Sequence, residues 1–215
     1  MPAHDLIVLG ASAGGVEAIS TLVASLPVDL PAAVCVVVHL RPDADSHLAE
    51  VLARVTPLPV VAARNGMTLR RGTIHVAVPD MHLLVERDDD VGVLRLVRGP
   101  REHRNRPAVD PLFRSAALAY GARVIGVVLS GALGDGTAGL WTVKDRGGIA
   151  IVQEPDDAAV SAMPSNALAE VDVDHVGTAS ALGALLGRLA REPHELDEAT
   201  AATGTESMVS RPPGD

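Results

Sequence analysis

Three residues of complementary chemistry each sit at the end of an apolar run. Ser12 lies in Gly10-Ala11-Ser12-Ala13-Gly14-Gly15, directly after Leu6–Leu9, and His39 closes the run Ala33–Val38. Asp135 falls in Ser130-Gly131-Ala132-Leu133-Gly134-Asp135-Gly136, after Val124–Leu129. A hydroxyl nucleophile, an imidazole base and a carboxylate to orient the imidazole are the parts of acyl-transfer catalysis. Gly10-x-Ser12-x-Gly14 also fits the nucleophile elbow, in which a tight strand-to-helix turn exposes a serine hydroxyl. The same turn admits two other readings. Free N–H groups at a helix N-terminus attract a phosphate, although Ser12 replaces the second glycine of the dinucleotide fingerprint G-x-G-x-x-G. Serine and aspartate are also preferred helix caps, which would account for Ser12 and Asp135 without any chemistry, and His39 could be a hydrogen-bonded histidine at a strand edge. The order Ser, His, Asp differs from the Ser, Asp, His order of α/β-hydrolases, and so excludes that fold family but not the mechanism.

The elements that would carry these residues alternate. Apolar residues Val16, Ile19, Leu22, Val23 and Leu26 recur at helical spacing after the first turn. With the buried runs on either side they make one βαβ unit, whose strands should be parallel. A second helix is expected from a Ser46 cap through Val55, then a short strand at Val60–Ala62. Residues 66–98 change character. Thr73–Val78, His82–Glu86 and Val93–Val97, broken by Pro79-Asp80 and three aspartates, predict short strands in a small antiparallel excursion. Arg98, Arg101, Arg104 and Arg106 follow in a loop, read either as solvated surface or as a basic patch that steers an acidic partner. Asp110-Pro111 predicts a helix opened by a capping aspartate, with proline in the first helical position. The βα alternation then resumes through Val124–Leu129, a helix carrying Leu140 and Trp141, and Ile149–Val152. A short helix over Ser165–Glu170 and a last amphipathic helix over Ala179–Leu189 complete the pattern. In open parallel sheets ligands bind beyond the carboxyl ends of the strands, and Ser12, His39 and Asp135 all sit at such ends.

Composition narrows the classes. The 215 residues suit one domain of about 190 residues, with an acidic tail over 191–215 that lacks periodicity and is expected to be disordered. Hydrophobic residues make up 47% but aromatics only 1%, so the core must be aliphatic and base-stacking platforms are missing. A net charge of −9 argues against nucleic acid as a partner. Cys35 is the single cysteine and no His/Asp/Glu grouping has ligand spacing such as H-E-x-x-H, so neither disulfide, metal nor cofactor is expected. No leader pattern precedes the first strand and no apolar run approaches membrane-spanning length, which predicts a cytoplasmic protein without membrane insertion.

The segments IVLGASAGGVEAI (7–19), VVVHLRPD (36–43), IHVAVPDMHLLV (74–85), RPAVDPLFRSAA (106–117), LSGALGDGTAGL (129–140) and Met163-Pro164 resemble, in that order, the catalytic domain of CheB-type chemotaxis methylesterases. The resemblance covers residues 5 to about 190. It implies a Rossmann-like, doubly wound, mostly parallel α/β sheet with helices on both faces. It implies a serine hydrolase that cleaves glutamate γ-methyl esters on chemoreceptors, and deamidates receptor glutamines, through Ser12, His39 and Asp135. Backbone N–H groups around Ala13 and Ala132 would serve as oxyanion donors. The chain resembles members with threonine and methionine near those positions, and carries alanine in both. The receiver domain that chemotaxis members usually carry is not expected here, since Met1 lies just ahead of the first strand. The implied partners are chemoreceptor helices, a signalling kinase or a separate regulator. A competing reading is a docking module with a vestigial triad.

Overall fold

The computed structural model describes residues 4–39, 47–89 and 91–192. Ser46 and the expected tail beyond Glu192 lie outside the described residues. Seven strands form one sheet: β1 (Leu6–Ala11), β2 (Ala33–Val38), β3 (Val60–Ala62), β4 (Ile74–Val76), β7 (Val124–Val128), β8 (Ile149–Gln153) and β9 (His175–Gly177). Their order is β3-β4-β2-β1-β7-β8-β9, and every pairing is parallel. The remaining strands, β5 (His82–Asp88) and β6 (Val91–Val97), form a separate antiparallel pair.

Parallel strands buried on both faces need apolar side chains pointing both ways, which is why the central strands read as unbroken hydrophobic runs. In β1, Ile7, Leu9 and Ala11 enter one core layer while Leu6 and Val8 enter the other. The first layer is covered by α1 (Gly15–Ala24), α2 (Leu48–Ala53) and α6 (Ala179–Leu189), through residues such as Ile19, Leu52 and Leu186. The second is covered by α3 (Val109–Tyr120), α4 (Thr137–Asp145), α5 (Ala162–Glu170) and the β5–β6 pair, through Phe113, Leu140, Met163 and Leu83. The result is a three-layer, doubly wound sheet. Among the described residues no helix is long and apolar enough to cross a membrane.

Several expectations are refined. Of the three strands predicted within 66–98, Ile74–Val76 joins the main sheet in parallel between β2 and β3, and the antiparallel excursion consists of the other two. Asp110 does not cap its own helix. Ala108 occupies the N-cap, so Asp110 and Pro111 fall within the first turn of α3. The short helix before Val171 starts earlier than expected, at Ala162.

The sheet sets where a site can form. From β1 the chain moves outward to β2 on one side and later returns to place β7 on the other. Such a reversal leaves a crevice outside the carboxyl ends of the central strands. Ser12, His39 and the turn bearing Asp135 follow β1, β2 and β7, the three adjacent strands at this point.

Candidate active site

The turn after β1 is held from below. The Ser12 N–H donates to Ser130 O at 2.9 Å, and the Ser130 hydroxyl donates to Ala13 O at 2.8 Å. Ser130 is itself fixed by its N–H to Gln153 Oε1, 2.8 Å, and Gln153 donates to Asp157 at 2.7 Å. Gly14 takes the left-handed φ of +70° that lets the chain swing into α1, a conformation glycine adopts at little cost. Gly14, not Ser12, is the N-cap of α1, and no side chain caps that helix. The Ser12 hydroxyl is therefore free of the capping role and meets a different partner.

That partner is His39. Its N–H donates to Ala11 O at 3.2 Å, which continues the β1–β2 pairing and turns the imidazole over the end of β1. Nδ1 lies 3.0 Å from Ser12 Oγ and Nε2 lies 2.6 Å from Asp135 Oδ2. The side chain of His39 is 10% exposed and that of Asp135 1%. The three residues singled out by type and strand-end position are thus joined in one hydrogen-bonded chain.

Asp135 earns its position from a helix that follows it in space and precedes it in sequence. Besides His39, its Oδ2 accepts from Val109 N–H at 2.7 Å and its Oδ1 from Asp110 N–H at 3.0 Å. These are first-turn donors of α3, which an α-helix leaves without internal partners and which carry the positive end of its dipole. The approach is possible because Gly10 has no side chain: a Cβ there would stand 2.2 Å from Val109 Cγ1. Burial alone would raise the carboxyl pKa of Asp135, but the hydrogen bonds from His39, Val109 and Asp110 outweigh it and hold the pKa below its ordinary value. Asp135 is thereby kept as an anion against His39.

Among the described residues, the N–H groups of Ala13 and Ala132 donate to no acceptor, whereas those of Ser12 and Gly131 are engaged by Ser130 O and Val160 O. Leu133, next to Ala132, has a left-handed φ of +68°, and its carbonyl accepts from Asn166 Nδ2 at 2.7 Å. Leu133 is 62% exposed beside the crevice.

Two features were not anticipated. Asp110 Oδ1 accepts from the N–H groups of Gly136 (3.1 Å) and Gly139 (2.6 Å), the start of α4, while Oδ2 receives His103 Nε2 at 2.9 Å. Nothing in the local pattern of Asp110-Pro111 signals this, because it reads as an ordinary helix start. The arginine loop is also less available than expected. Arg106 and Arg98 both bind Asp80, and Arg106 further donates to Gly99 O, so two of its four arginines fasten the loop. A cleft of about 580 Å³ is remote from this site. It lies at the amino ends of the strands, where buried Asp5 accepts from Arg71 and Arg123, and it serves to tie β1 to its neighbours.

A doubly wound parallel sheet with a hydrogen-bonded serine, histidine and aspartate at its switch point holds the parts that acyl-transfer chemistry needs. The family model for CheB methylesterase matches residues 7–186. A putative protein-glutamate methylesterase/protein-glutamine glutaminase of Leptospira interrogans is 33% identical over 186 residues, covering 86% of this chain and 95% of that protein. A protein-glutamate methylesterase/protein-glutamine glutaminase of Nocardioides sp. is 39% identical over 190 residues, and this chain spans 52% of its length. The crystal structure of the Thermotoga maritima CheB methylesterase catalytic domain superposes with a TM-score of 0.84 at 30% identity, covering 86% of this chain and 98% of that one. The chain belongs to the CheB methylesterase family and is an enzyme of the carboxylic ester hydrolase class.

Proposed function

We propose that the chain hydrolyses γ-methyl esters of glutamate on the cytoplasmic helices of chemoreceptors, with Ser12 as nucleophile, His39 as general base and Asp135 as its orienting carboxylate. The observation that carries this is the chain of contacts Ser12 Oγ–His39 Nδ1–Asp135 Oδ2, at 3.0 and 2.6 Å. The catalytic unit on this reading is residues 1–190, with 191–215 outside it.

The step follows from the geometry. Nε2 donates its hydrogen to Asp135, so the neutral imidazole leaves Nδ1 as the acceptor towards Ser12. His39 Nδ1 takes the Ser12 proton as Oγ bonds to the ester carbonyl carbon, and the carbonyl electrons move onto its oxygen. The resulting oxyanion is met by the open N–H groups of Ala13 and Ala132, which act before any reorganisation is needed. The bond to the methoxy oxygen then breaks, and His39 returns its proton to release methanol. Water, deprotonated by His39 in turn, attacks the acyl group and frees the glutamate carboxylate and Ser12. A glutamine side chain would pass through the same sequence with ammonia leaving. Imidazolium formed in both steps lies 2.6 Å from Asp135, which stabilises it where charge develops. Leu133 and the exposed arginines Arg101 and Arg104 supply apolar and cationic contacts for an acidic receptor helix.

The test is methanol release from methylated receptor by wild type and Ser12→Ala, together with labelling by a serine-directed phosphonate. Expected are a loss of about 10⁶ in turnover and labelling of Ser12 alone. Turnover within tenfold of wild type overturns the nucleophile assignment. A folded sample that neither labels nor releases methanol supports a docking module instead.

A further inference from the structure

Behind the triad lies a second carboxylate–imidazole pair. Asp110 is 2% exposed, and every oxygen it offers is in use: Oδ1 takes Gly136 and Gly139 N–H, and Oδ2 takes His103 Nε2. The two aspartates therefore exchange helices. Asp135, just before α4, holds the first-turn N–H groups of α3; Asp110, in the first turn of α3, holds those of α4. Their carboxylates and His103 form one cluster, with ligand-type atoms within 4.8 Å of one another and His103 Nε2 3.9 Å from Asp135 Oδ1.

His103 reaches this cluster through a strained turn. Glu102 and Asn105 pair through reciprocal backbone hydrogen bonds of 3.2 and 2.8 Å, and the residues between them, His103 and Arg104, have φ of +48° and +66°. That is the two-residue hairpin turn that asparagine and glycine favour, and other residues adopt it at a cost in backbone strain. It is held by Asn105 Nδ2 to His103 O, 2.8 Å, and by Arg114 of α3, which grips both carboxylate oxygens of Glu102 at 2.7–2.8 Å. A solvated loop has no need of such fastening. Its effect is to aim one imidazole at Asp110.

We propose that Asp110 is a positioning residue for Asp135, and that its charge, modulated by His103, sets how readily His39 takes a proton. Fixing Gly136 fixes the residue next to Asp135, and the α3–α4 exchange leaves the triad carboxylate no independent motion. The Asp110 anion adds to that of Asp135 in favouring imidazolium on His39, and a positive charge on His103, 2.9 Å from Asp110, would offset it. The charged and titratable groups around Asp110 are His103 and, through Arg114, Glu102 from the turn; Arg114, 4.0 Å away on α3; Asp135 before α4; His39 beyond it; and Glu170 of α5, which lines the same cleft. Burial and the neighbouring Asp135 raise the carboxyl pKa of Asp110 despite its backbone and His103 bonds.

The inference rests on the proposed roles of Ser12, His39 and Asp135, and one of its two readouts does not depend on turnover. In Asp110→Asn the amide oxygen still accepts from Gly136 and Gly139, so the fold is retained and the charge is lost. In His103→Gln the side-chain amide still donates to Asp110 but can carry no positive charge. The measurements are the protonation midpoint of His39 by NMR and the acid limb of kcat/KM on methylated receptor, with Tm as the control for folding. Removing the anion in Asp110→Asn should move both midpoints to lower pH by about half a pH unit, the scale for one nearby charge that is partly screened by solvent, with kcat down about tenfold and KM unchanged. Removing the side chain that can carry a positive charge, in His103→Gln, should move both to higher pH by a similar amount. Midpoints that stay in place in both variants, or move in the same direction, overturn the proposal. An NMR shift as expected in a protein without esterase activity overturns the methylesterase reading and leaves the electrostatic coupling standing.

Discussion

Replacing Asp135 by asparagine sets the triad geometry against itself. Oδ2 of Asp135 accepts from both His39 Nε2 and Val109 N–H, at 2.6 and 2.7 Å, while Oδ1 accepts from Asp110 N–H at 3.0 Å. An asparagine has one acceptor oxygen for these donors. With its oxygen in the Oδ2 position, the amide NH2 faces the Asp110 N–H, donor against donor. With its oxygen in the Oδ1 position, the NH2 faces Val109 N–H and donates to His39 Nε2. That forces the imidazole proton onto Nδ1, where Ser12 needs an acceptor. Either orientation loses the charge that stabilises imidazolium, and the second also removes the base. A wrong tautomer in a triad costs about 10⁴, so kcat/KM should fall about 10³- to 10⁴-fold, or roughly 4–5.5 kcal/mol of transition-state stabilisation. One buried helix donor left unpaired costs about 2 kcal/mol, so Tm should drop by about 4–8 °C. The assay is steady-state methanol release across pH 5–9 beside thermal melts of the same samples. Because the Asp135 carboxyl pKa is depressed in the folded state, its contribution to stability is present above the ordinary carboxylate value and is lost as pH falls through the lower folded one. The stability gap between wild type and Asp135→Asn should therefore close in acid. A folded variant that loses less than tenfold in kcat/KM refutes the orienting role.

Three further outcomes follow from packing and charge. Gly10→Ala would place a Cβ 2.2 Å from Val109 Cγ1. It should push the first turn of α3 off Asp135, cost about 2 kcal/mol by overpacking and lower kcat at least tenfold; wild-type kcat would show that α3 does not set the carboxylate. Asp5→Ala removes the buried acceptor of Arg71 and Arg123 at the opposite end of the sheet. Both arginines are partly exposed, so the loss should be near 2 kcal/mol rather than the larger value for a fully buried pair, with kcat unchanged. Burial alone would raise the pKa of Asp5, but Arg123 and Arg71 lower it on balance, so this deficit should likewise shrink in denaturation measured below about pH 4. Asn166→Ala releases the carbonyl of Leu133. Tm should barely change while kcat falls several-fold, since the adjacent Ala132 N–H loses its fixed direction; an unchanged kcat would remove Ala132 from the oxyanion site.

What could be read from residues alone followed from how each was buried. Leu6–Leu9, Ala33–Val38 and Val124–Leu129 are continuous apolar runs because parallel central strands are covered on both faces, and the ligand rule for such sheets picked out Ser12, His39 and Asp135 at their ends. His175–Gly177 gave no such signal: it is a three-residue edge strand in which no residue is fully buried. Ile74–Val76 reads like its antiparallel neighbours, and only the pairing with β2 and β3 separates it from them. The direction of the His39 ring, Nδ1 to Ser12 and Nε2 to Asp135, is set by where β1 and β2 end and where α3 begins, which no local pattern encodes.

Asp110 and Asp135 show why local reading fails at the part of the site that matters most. Each precedes or opens a helix, and each satisfies the rule for a capping acid, so the rule assigns each to its own helix. In the structure both serve the other helix, because α3 and α4 pack close enough for Gly139, whose Cβ would lie 2.6 Å from that of Phe113, to bring their first turns together. A carboxylate that caps its own helix moves with that helix and carries no information about its neighbour. Exchanged caps bind two helices to each other at the point where one carboxylate must meet an imidazole to within a few tenths of an ångström. The Asp135 carboxylate is therefore positioned by tertiary packing that reaches from Gly10 through α3 to Gly139, and, with Asp135 in its proposed role, a substitution anywhere along that line should reach catalysis before it reaches the stability of the sheet.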